Sequence, residues 1–223
     1  MNEYKEDLQM KRKKRMFERK LFFAFTLVIM VCCFMVTSSW AARKVDLTSA
    51  NAGNFIGQLN RNGAAMGPVF GLSQDEQFRL LRQTRDFKGV THSRYEQTYK
   101  GIPVWGMQTI VGRDRSNNVS KLHGNLALGI PDDVVEIPNA SSLNPQAALR
   151  QRQDLHKGKD SSAVWNFRNE KYGTYIYLDK KDNAHLCYVV SFFADTDRGN
   201  PAQPIFFIDV KSGKVLDSYD MLR

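Results

Sequence analysis

The chain has few of the residues from which catalytic and metal sites are built. It contains only four histidines and three cysteines. No two histidines are four residues apart, as a helical zinc site requires, for they lie at His92, His123, His156 and His185. The sequence has no Gly-x-Ser-x-Gly elbow and no phosphate-cradling glycine loop. We therefore predict no catalytic residue, no bound metal and no cofactor in this chain.

Disulfides and long charge runs are also missing beyond the N-terminal region. Cys32 and Cys33 lie in an apolar run, which leaves Cys187 without a partner for an internal bridge. Residues 1–42 hold 8 of the 32 basic and 4 of the 23 acidic residues, so the remainder has 24 basic and 19 acidic residues. This mild excess predicts no nucleic-acid partner, whereas attraction to an acidic partner stays open.

The start of the chain has the order of a targeting signal. Basic residues at 11–15 precede the apolar run Leu21–Val36, and small residues follow, with Ser39 and Ala41 at the −3 and −1 positions of a cleavage site. We predict a signal peptide over residues 1–42, a secreted or periplasmic location, and no stable membrane partner after cleavage. An N-terminal membrane anchor is the alternative, because the run extended to Trp40 reaches the ~20 residues of a spanning helix.

The first half of the remaining chain is predicted to be a lead-in followed by one helix and three strands. Residues 43–71 are rich in Asn, Gly and Ala, which indicates a loosely ordered segment. Ser73 and Glu76 match a capping box, which predicts a helix with Phe78 on its apolar face and its end at Gly89. Alternating residues and turn formers then predict antiparallel strands over 90–99, 104–112 and 119–128.

The second half repeats this outline. Residues 130–144 lack periodicity, which predicts a linker. Asn144-Pro145 predicts the start of a helix that ends at Gly158. Strands are predicted over 163–168, 174–178, 185–193, 205–210 and 215–219. The chain is thus predicted to be α+β, with one module at 72–129 and another at 145–223.

Two segments of this sequence resemble parts of a known family. In the first segment, His92, Arg94, Tyr95, Gln97, Tyr99, Gly101, Pro103, Val104 and Gly106 look like the propeptide module of fungalysin and thermolysin precursors. The second, residues 201–216 with Asp209 and Gly213, is similar to the PepSY module that follows in those precursors. Over about residues 50–220, the chain resembles the pro-region of secreted thermolysin-family zinc metalloproteases, of which the vibriolysin-like and pseudolysin-like precursors look nearest.

The resemblance implies both a fold and a function. The fold would be two modules, each a helix packed on an antiparallel sheet, the second one cystatin-like. The function would be that of a non-catalytic chaperone and inhibitor whose partner is a thermolysin-like protease domain. The tail, Asp220, Met221 and Leu222, would contact the active-site cleft. Zinc would belong only to that protease domain, since this chain has no zinc motif.

Two other functions remain open at this stage. The chain is then either the N-terminal part of a secreted zinc metalloendopeptidase precursor, or an envelope module that binds peptides or glycans. The envelope module requires a contiguous exposed aromatic patch. Its candidate members, whose strand spacing is more typical of a core, are Trp165, Phe167, Tyr172, Tyr175, Tyr177, Tyr188, Phe192, Phe193, Phe206 and Phe207.

Overall fold

The structure, a computed structural model, describes residues 41–47, 52–62, 65–158, 162–197 and 201–222. These residues belong to one compact unit. Its strands are β1 (Arg43–Asp46), β2 (Glu76–Arg85), β3 (Thr91–Tyr99), β4 (Ile102–Arg113), β5 (Val119–Leu128), β6 (Trp165–Leu178), β7 (Ala184–Thr196), β8 (Pro204–Asp209) and β9 (Val215–Asp220). Its helices are α1 (Ala52–Asn62), α2 (Met66–Phe70), α3 (Ile130–Asp133) and α4 (Pro145–Lys157), with a 3₁₀ turn at Ala140–Ser142.

The predicted N-terminal signal peptide lies almost entirely outside the described residues. Residues 1–40, which hold the predicted apolar run, are among those that the structure does not describe. Within the described part of the chain, no helix is long and apolar enough to cross a bilayer.

Strand β4 joins the two halves of the chain into one sheet. The strand order is β1-β5-β4-β6-β7-β8-β9, and β3 pairs with both β4 and β2. The C-terminal part of β4 pairs antiparallel with β3 and β5, whereas Val104 near its start pairs with Ile176 of β6 in parallel. The other strand pairs are antiparallel. Helices packed on a largely antiparallel sheet make the described chain α+β, as predicted.

Side chains from both halves bury each other around this junction. Val104 and Ile176 are 1% and 0% exposed. The cluster around them, here called the shared core, comprises Ala42, Tyr99, Val104, Met107, Ala127, Ile130, Val134, Ile176, Ala184 and Leu186. Because its members come from β3, β4, β5, β6 and β7, neither half completes this core alone.

Each half also has a core of its own. On the N-terminal side, Leu59 of α1 and Phe70 of α2 pack against Val111 and Leu122 of the sheet. On the C-terminal side, the inward face of α4 packs against β7 and β8. That second cluster contains Ala148, Leu149, Val190, Phe192, Ala194 and Ile208.

The helix predicted from Ser73 to Gly89 is wrong, because residues 76–85 form strand β2. The capping-box contact itself is present: Ser73 N donates to Glu76 Oε2 at 3.0 Å. It closes a turn, in which Glu76 N donates to Ser73 O at 3.1 Å. Pairing with β3, where Phe78 lies opposite Gln97, supplies the backbone partners and overrides the local helical pattern.

Two segments predicted to be irregular contain ordered elements. In the lead-in at 43–71, β1 pairs with β5, and Leu47 and Leu59 are 0% and 1% exposed. The apolar residues of this segment are few but fall on one face of α1, which buries them. The linker at 130–144 begins with α3, and Ile130 is 0% exposed. Both segments carry core residues.

Several local predictions are confirmed. Strand β5 has the predicted bounds, and Asn144 caps α4 by accepting a hydrogen bond from Ala147 N at 2.9 Å. Gly101 has a φ of +79° in its turn. Gly158 follows the last residue of α4, as predicted, and has a φ of −62°. The two strands predicted at 163–168 and 174–178 are one strand, β6, irregular between Arg168 and Lys171.

Candidate partner interface

Three residues of the first family motif lie in the interior. Gln97 and Tyr99 are 0% and 1% exposed, and Val104 belongs to the shared core. Gln97 Nε2 donates to Ala127 O at 2.8 Å and its Oε1 accepts from Ala127 N at 2.8 Å. Tyr99 donates its hydroxyl proton to Val134 O at 2.9 Å. These side chains fix the junction of the sheet and are not available to a partner.

Other motif residues in β3 alternate between the two faces of the sheet. Arg94 is exposed and reaches Gln108 Oε1 at 3.5 Å, whereas Tyr95 is half-buried on the inner face. His92 Nε2 lies 3.1 Å from Asp86 Oδ2. The hydrogen bond with His92 is the largest cause that lowers the pKa of Asp86. His92 therefore supports a hairpin by pairing with a carboxylate.

The remaining motif residues near Gly101 shape the start of β4. Gly101 and Gly106 have φ values of +79° and +74°. Pro103 lies opposite Thr98, next to an irregularity in the β3–β4 pairing. These positions set the path of the backbone and offer few side-chain atoms to a partner.

The predicted residues near the C-terminus lie in turns around β9. Asp209 accepts hydrogen bonds from Ser212, and Gly213 completes that turn with a φ of +68°. Asp220 Oδ1 accepts from Gln203 N at 2.9 Å and from Leu222 N at 3.0 Å. Met221 and Leu222 are 43% and 48% exposed. Asp220 therefore anchors a tail whose apolar side chains face solvent.

The C-terminal sheet has an aromatic face on the side opposite α4. This aromatic face comprises Trp105, Tyr175, Tyr177, Phe207 and Tyr219, all of them on strands. The Trp105 ring centroid lies 5.0 Å from that of Tyr175 and 5.4 Å from that of Phe207. The Tyr177 and Tyr219 rings lie 4.3 Å and 6.0 Å from Phe207. Phe207 is 1% exposed beneath them.

Polar groups at the edge of the aromatic face are paired. Tyr177 donates its hydroxyl proton to Asp217 Oδ2 at 2.9 Å, and Lys180 Nζ lies 3.7 Å from Asp217 Oδ1. Burial raises the pKa of Tyr177, and the hydrogen bond from Tyr177 lowers the pKa of Asp217. Aromatic rings with a satisfied polar rim are typical of protein–protein interface cores.

Sequence reasoning missed Trp105 and Tyr219 as members of this face. The alternation of β4 could have found Trp105, since Val104 is buried on one side and the next residue must point to the other. Tyr219 joins the face only because β9 pairs with β8, with Tyr219 opposite Ile205.

The ten aromatic residues considered for an envelope module do not form one exposed patch. Five of them, Trp165, Phe167, Tyr188, Phe192 and Phe206, belong to the cluster beneath α4, and three, Tyr175, Tyr177 and Phe207, belong to the aromatic face. Phe192 and Phe207 are 0% and 1% exposed, and Tyr172, at 48%, is the one of the ten whose side chain is largely exposed. The observation on which that hypothesis depended is thus not present in these residues.

The described residues do not fit a zinc site. Among them, no three His, Cys, Asp or Glu side chains come close enough to hold a metal ion. His185 Nε2 lies 3.3 Å from Asp179 Oδ2, and so repeats the pairing of His92 with Asp86. Burial raises the pKa of Cys187 to about 12, which keeps the thiol protonated.

Comparison with known proteins gives the class of this chain. Residues 76–126 match the Fungalysin/Thermolysin Propeptide Motif. The matched segment runs from β2 into β5 and contains Gln97, Tyr99 and Val104. Residues 76–126 are therefore a propeptide-type segment like that of thermolysin-like metalloproteases, which confirms the resemblance seen in the sequence.

Three curated relatives support this assignment. "Neutral protease" of Vibrio proteolyticus is 30% identical over 184 residues, which cover 80% of this chain and 28% of that protein. "Hemagglutinin/proteinase" of Vibrio cholerae is 30% identical over 145 residues, covering 64% and 23%. "Bacillolysin" of Brevibacillus brevis is 28% identical over 150 residues, covering 66% and 28%. The chain thus spans about a quarter of the length of the curated relatives it matches.

Proposed function

We propose that this chain is a non-catalytic propeptide module, secreted or periplasmic, that assists the folding of a thermolysin-like protease domain and inhibits it. The match of residues 76–126 to a propeptide motif is the observation that carries the proposal. Zinc would be held by the protease domain, because the described residues of this chain do not fit a metal site. The protease domain is the partner whether it is on the same polypeptide or a separate one.

The aromatic face is the surface that we assign to the protease domain. Helix α4 covers the opposite side of the sheet, so this side is the one left for a partner. Half-buried aromatic side chains on rigid strands are typical binding anchors, since little conformational entropy is lost when a partner covers them. The tail follows Tyr219 directly, so a partner on this face would also lie near Met221 and Leu222.

A folding role has a physical basis in topology. Chains dominated by non-local pairing fold slowly, because loop closure is costly before the contacts form. A preformed surface that binds the native-like protease domain would stabilise the late stages of its folding. The C-terminal half, residues 145–223, would act in this as a PepSY-like, cystatin-like module, since its helix and antiparallel strands have the order expected of one.

The proposal is tested with the full chain and the mature protease domain of the Vibrio proteolyticus relative. We expect slower peptide hydrolysis when the chain is added, and a higher yield of active protease when the denatured domain is refolded with it. Tyr219→Ala should weaken the inhibition about tenfold or more, the loss typical of an interface anchor.

Tyr172→Ala is the matched control. The Tyr219 and Tyr172 side chains are 50% and 48% exposed, but Tyr172 lies opposite Val190, whose side chain faces α4. Its replacement should leave inhibition unchanged. The proposal fails if the chain neither slows hydrolysis nor raises the refolding yield. Equal losses in the two variants would instead remove the aromatic face as the site.

A further inference from the structure

Ala42 follows Ala41, the −1 residue of the predicted cleavage site, and it is buried. A signal peptide that extended over the whole predicted segment 1–42 would therefore take a core residue with it. Ala42 is 2% exposed and belongs to the shared core, whereas Ala41 before it is exposed. The backbone N–H of Ala42 donates to Asp133 Oδ2 at 3.1 Å. The residue that would become the N-terminus after cleavage is thus already buried in the fold.

Asp133 holds this nitrogen from the end of α3. Its Oδ2 also accepts a hydrogen bond from Ala184 N at 2.8 Å. Both donors are neutral amides, and no Lys, Arg or His of the described residues forms a salt bridge with Asp133. A half-buried carboxylate without a cation loses hydration and gains no ionic partner in return. Among the residues that the structure describes, Asp133 therefore has hydrogen-bond donors but no cationic partner.

We propose that cleavage between Ala41 and Ala42 creates an N-terminal ammonium that pairs with Asp133 and completes the shared core. Water, with a signal peptidase as catalyst, breaks the C–N bond. The hydroxyl goes to the carbonyl carbon of Ala41, and the nitrogen of Ala42 takes up protons to become an ammonium. The amide nitrogen of Ala42 in the structure occupies the place of that ammonium. The carboxylate then accepts a charge-assisted hydrogen bond in place of a neutral one.

The register of β1 makes the cleavage position matter. Arg43 lies opposite Leu128 in the β1–β5 ladder, which fixes where the nitrogen of the preceding residue lies. Cleavage one residue later would remove Ala42 from the shared core. Cleavage one residue earlier would keep an amide at Asp133. Ammonium and carboxylate therefore meet only when the protein begins at Ala42.

The first test uses the exported product of the full chain without any substitution. Intact mass and N-terminal sequencing should give Ala42 as the first residue. Its α-amine should react at least about tenfold more slowly with an acylating reagent in the folded protein than in urea, because it is buried and ion-paired. A different first residue, or equal labelling in the two conditions, would overturn the proposal.

The second test compares Asp133→Asn with Asp132→Asn in the exported protein. Asp132 is the exposed neighbour on the same helix, so its replacement removes the same charge without touching Ala42. We expect Asp133→Asn to speed α-amine labelling and to raise the unfolding equilibrium constant about tenfold. The Asp132 variant should change both by less than about twofold.

The side-chain amide introduced by Asp133→Asn can still accept from neutral amides, so a purely structural hydrogen bond would change labelling little. Equal effects of the two substitutions would contradict the ion pair. If Asp133→Asn yields no folded protein, the comparison of α-amine labelling in the folded and urea-unfolded unsubstituted protein decides whether the ion pair forms. None of these measurements involves a protease, so they stand or fall independently of the proposed function.

Discussion

The side chain of Gln97 supplies the hydrogen bonds that a neighbouring strand would otherwise make with β5 at Ala127. Its amide group exchanges two hydrogen bonds of 2.8 Å with the Ala127 peptide unit. The β4–β5 ladder has ended before this point, with Thr109 opposite Gly124 as its last pair. The side chain therefore satisfies backbone groups that would otherwise be buried without partners.

Replacing Gln97 by Leu should lower the free energy of unfolding by about 2 kcal/mol or more, because the Ala127 N–H and C=O lose their partners. Urea unfolding measures the loss. Gln108→Leu is the control, since Gln108 is half-buried and its side chain accepts a long hydrogen bond, 3.5 Å, from Arg94. The assigned role is wrong if the Gln97 variant loses no more stability than the control.

Two hairpins should lose stability in acid. Burial opposes ionisation of Asp179, but hydrogen bonds from Asn183, the Lys181 amide and His185 together lower its pKa to about 2. The pKa of Asp86 is lowered as well, first by His92. Because both folded pKa values lie below the unfolded value, the stabilisation is complete above about pH 4 and is lost as the pH falls. For Asp179 the loss extends toward pH 2.

Urea unfolding at pH 6, 4 and 2.5 measures this loss. Asp179→Asn should flatten the decrease between pH 4 and 2.5, since the variant has no carboxylate to protonate there. Asp182→Asn, in the same hairpin, should retain the pH dependence of the unsubstituted chain. Parallel curves for all three proteins would count against the assignment to Asp179.

At the scale of elements, turns and caps were predictable because they depend on neighbouring residues. The Asn144 cap, the Gly101 turn and strand β5 each follow from a few adjacent positions. β2 was not predictable in this way, because the contact between Ser73 and Glu76 is the same in a helix cap and in its turn. Only pairing with β3 decides between helix and strand, and that pairing is non-local.

Gly101→Val should destabilise the β3–β4 turn by about 1–2 kcal/mol, because a side chain at a φ of +79° strains the backbone. Apart from the adjacent residues, no described atom lies within 4 Å of the position of an added Cβ, so the cost is conformational and not a clash. Gly101→Asn should lose less, since asparagine tolerates this region better. Thermal unfolding compares them, and equal melting temperatures for all three proteins would refute the argument.

At the scale of the whole molecule, two predicted modules share one interior. Residues distant in sequence, Tyr99, Val104 and Ile176, are buried together in the shared core. The aromatic face likewise combines Trp105 with Tyr175 and Phe207, a neighbourhood that no local pattern encodes. The α+β class was predictable from element types, whereas the junction and the candidate interface depend on long-range pairing.

A chain that begins at Ala42 should therefore unfold in one cooperative transition. Trp105 reports on the junction, and Trp165 packs in the cluster beneath α4. The Trp165→Phe variant reports the fluorescence of Trp105, and the Trp105→Phe variant reports that of Trp165. In each variant, the urea midpoint measured by fluorescence should equal the midpoint measured by circular dichroism. Separate midpoints within one protein would show that the halves unfold independently.

The buried thiol of Cys187 can report how often the folded sheet opens. The thiol lies in strand β7, which is paired on both sides, and it is 0% exposed and is held protonated by burial. A thiol reagent can reach it only after the strands around it separate. The rate at which the thiol of the folded protein is modified therefore measures how often the sheet opens. If a protease domain binds and stabilises the sheet, this rate should fall even though the partner does not contact the sulfur.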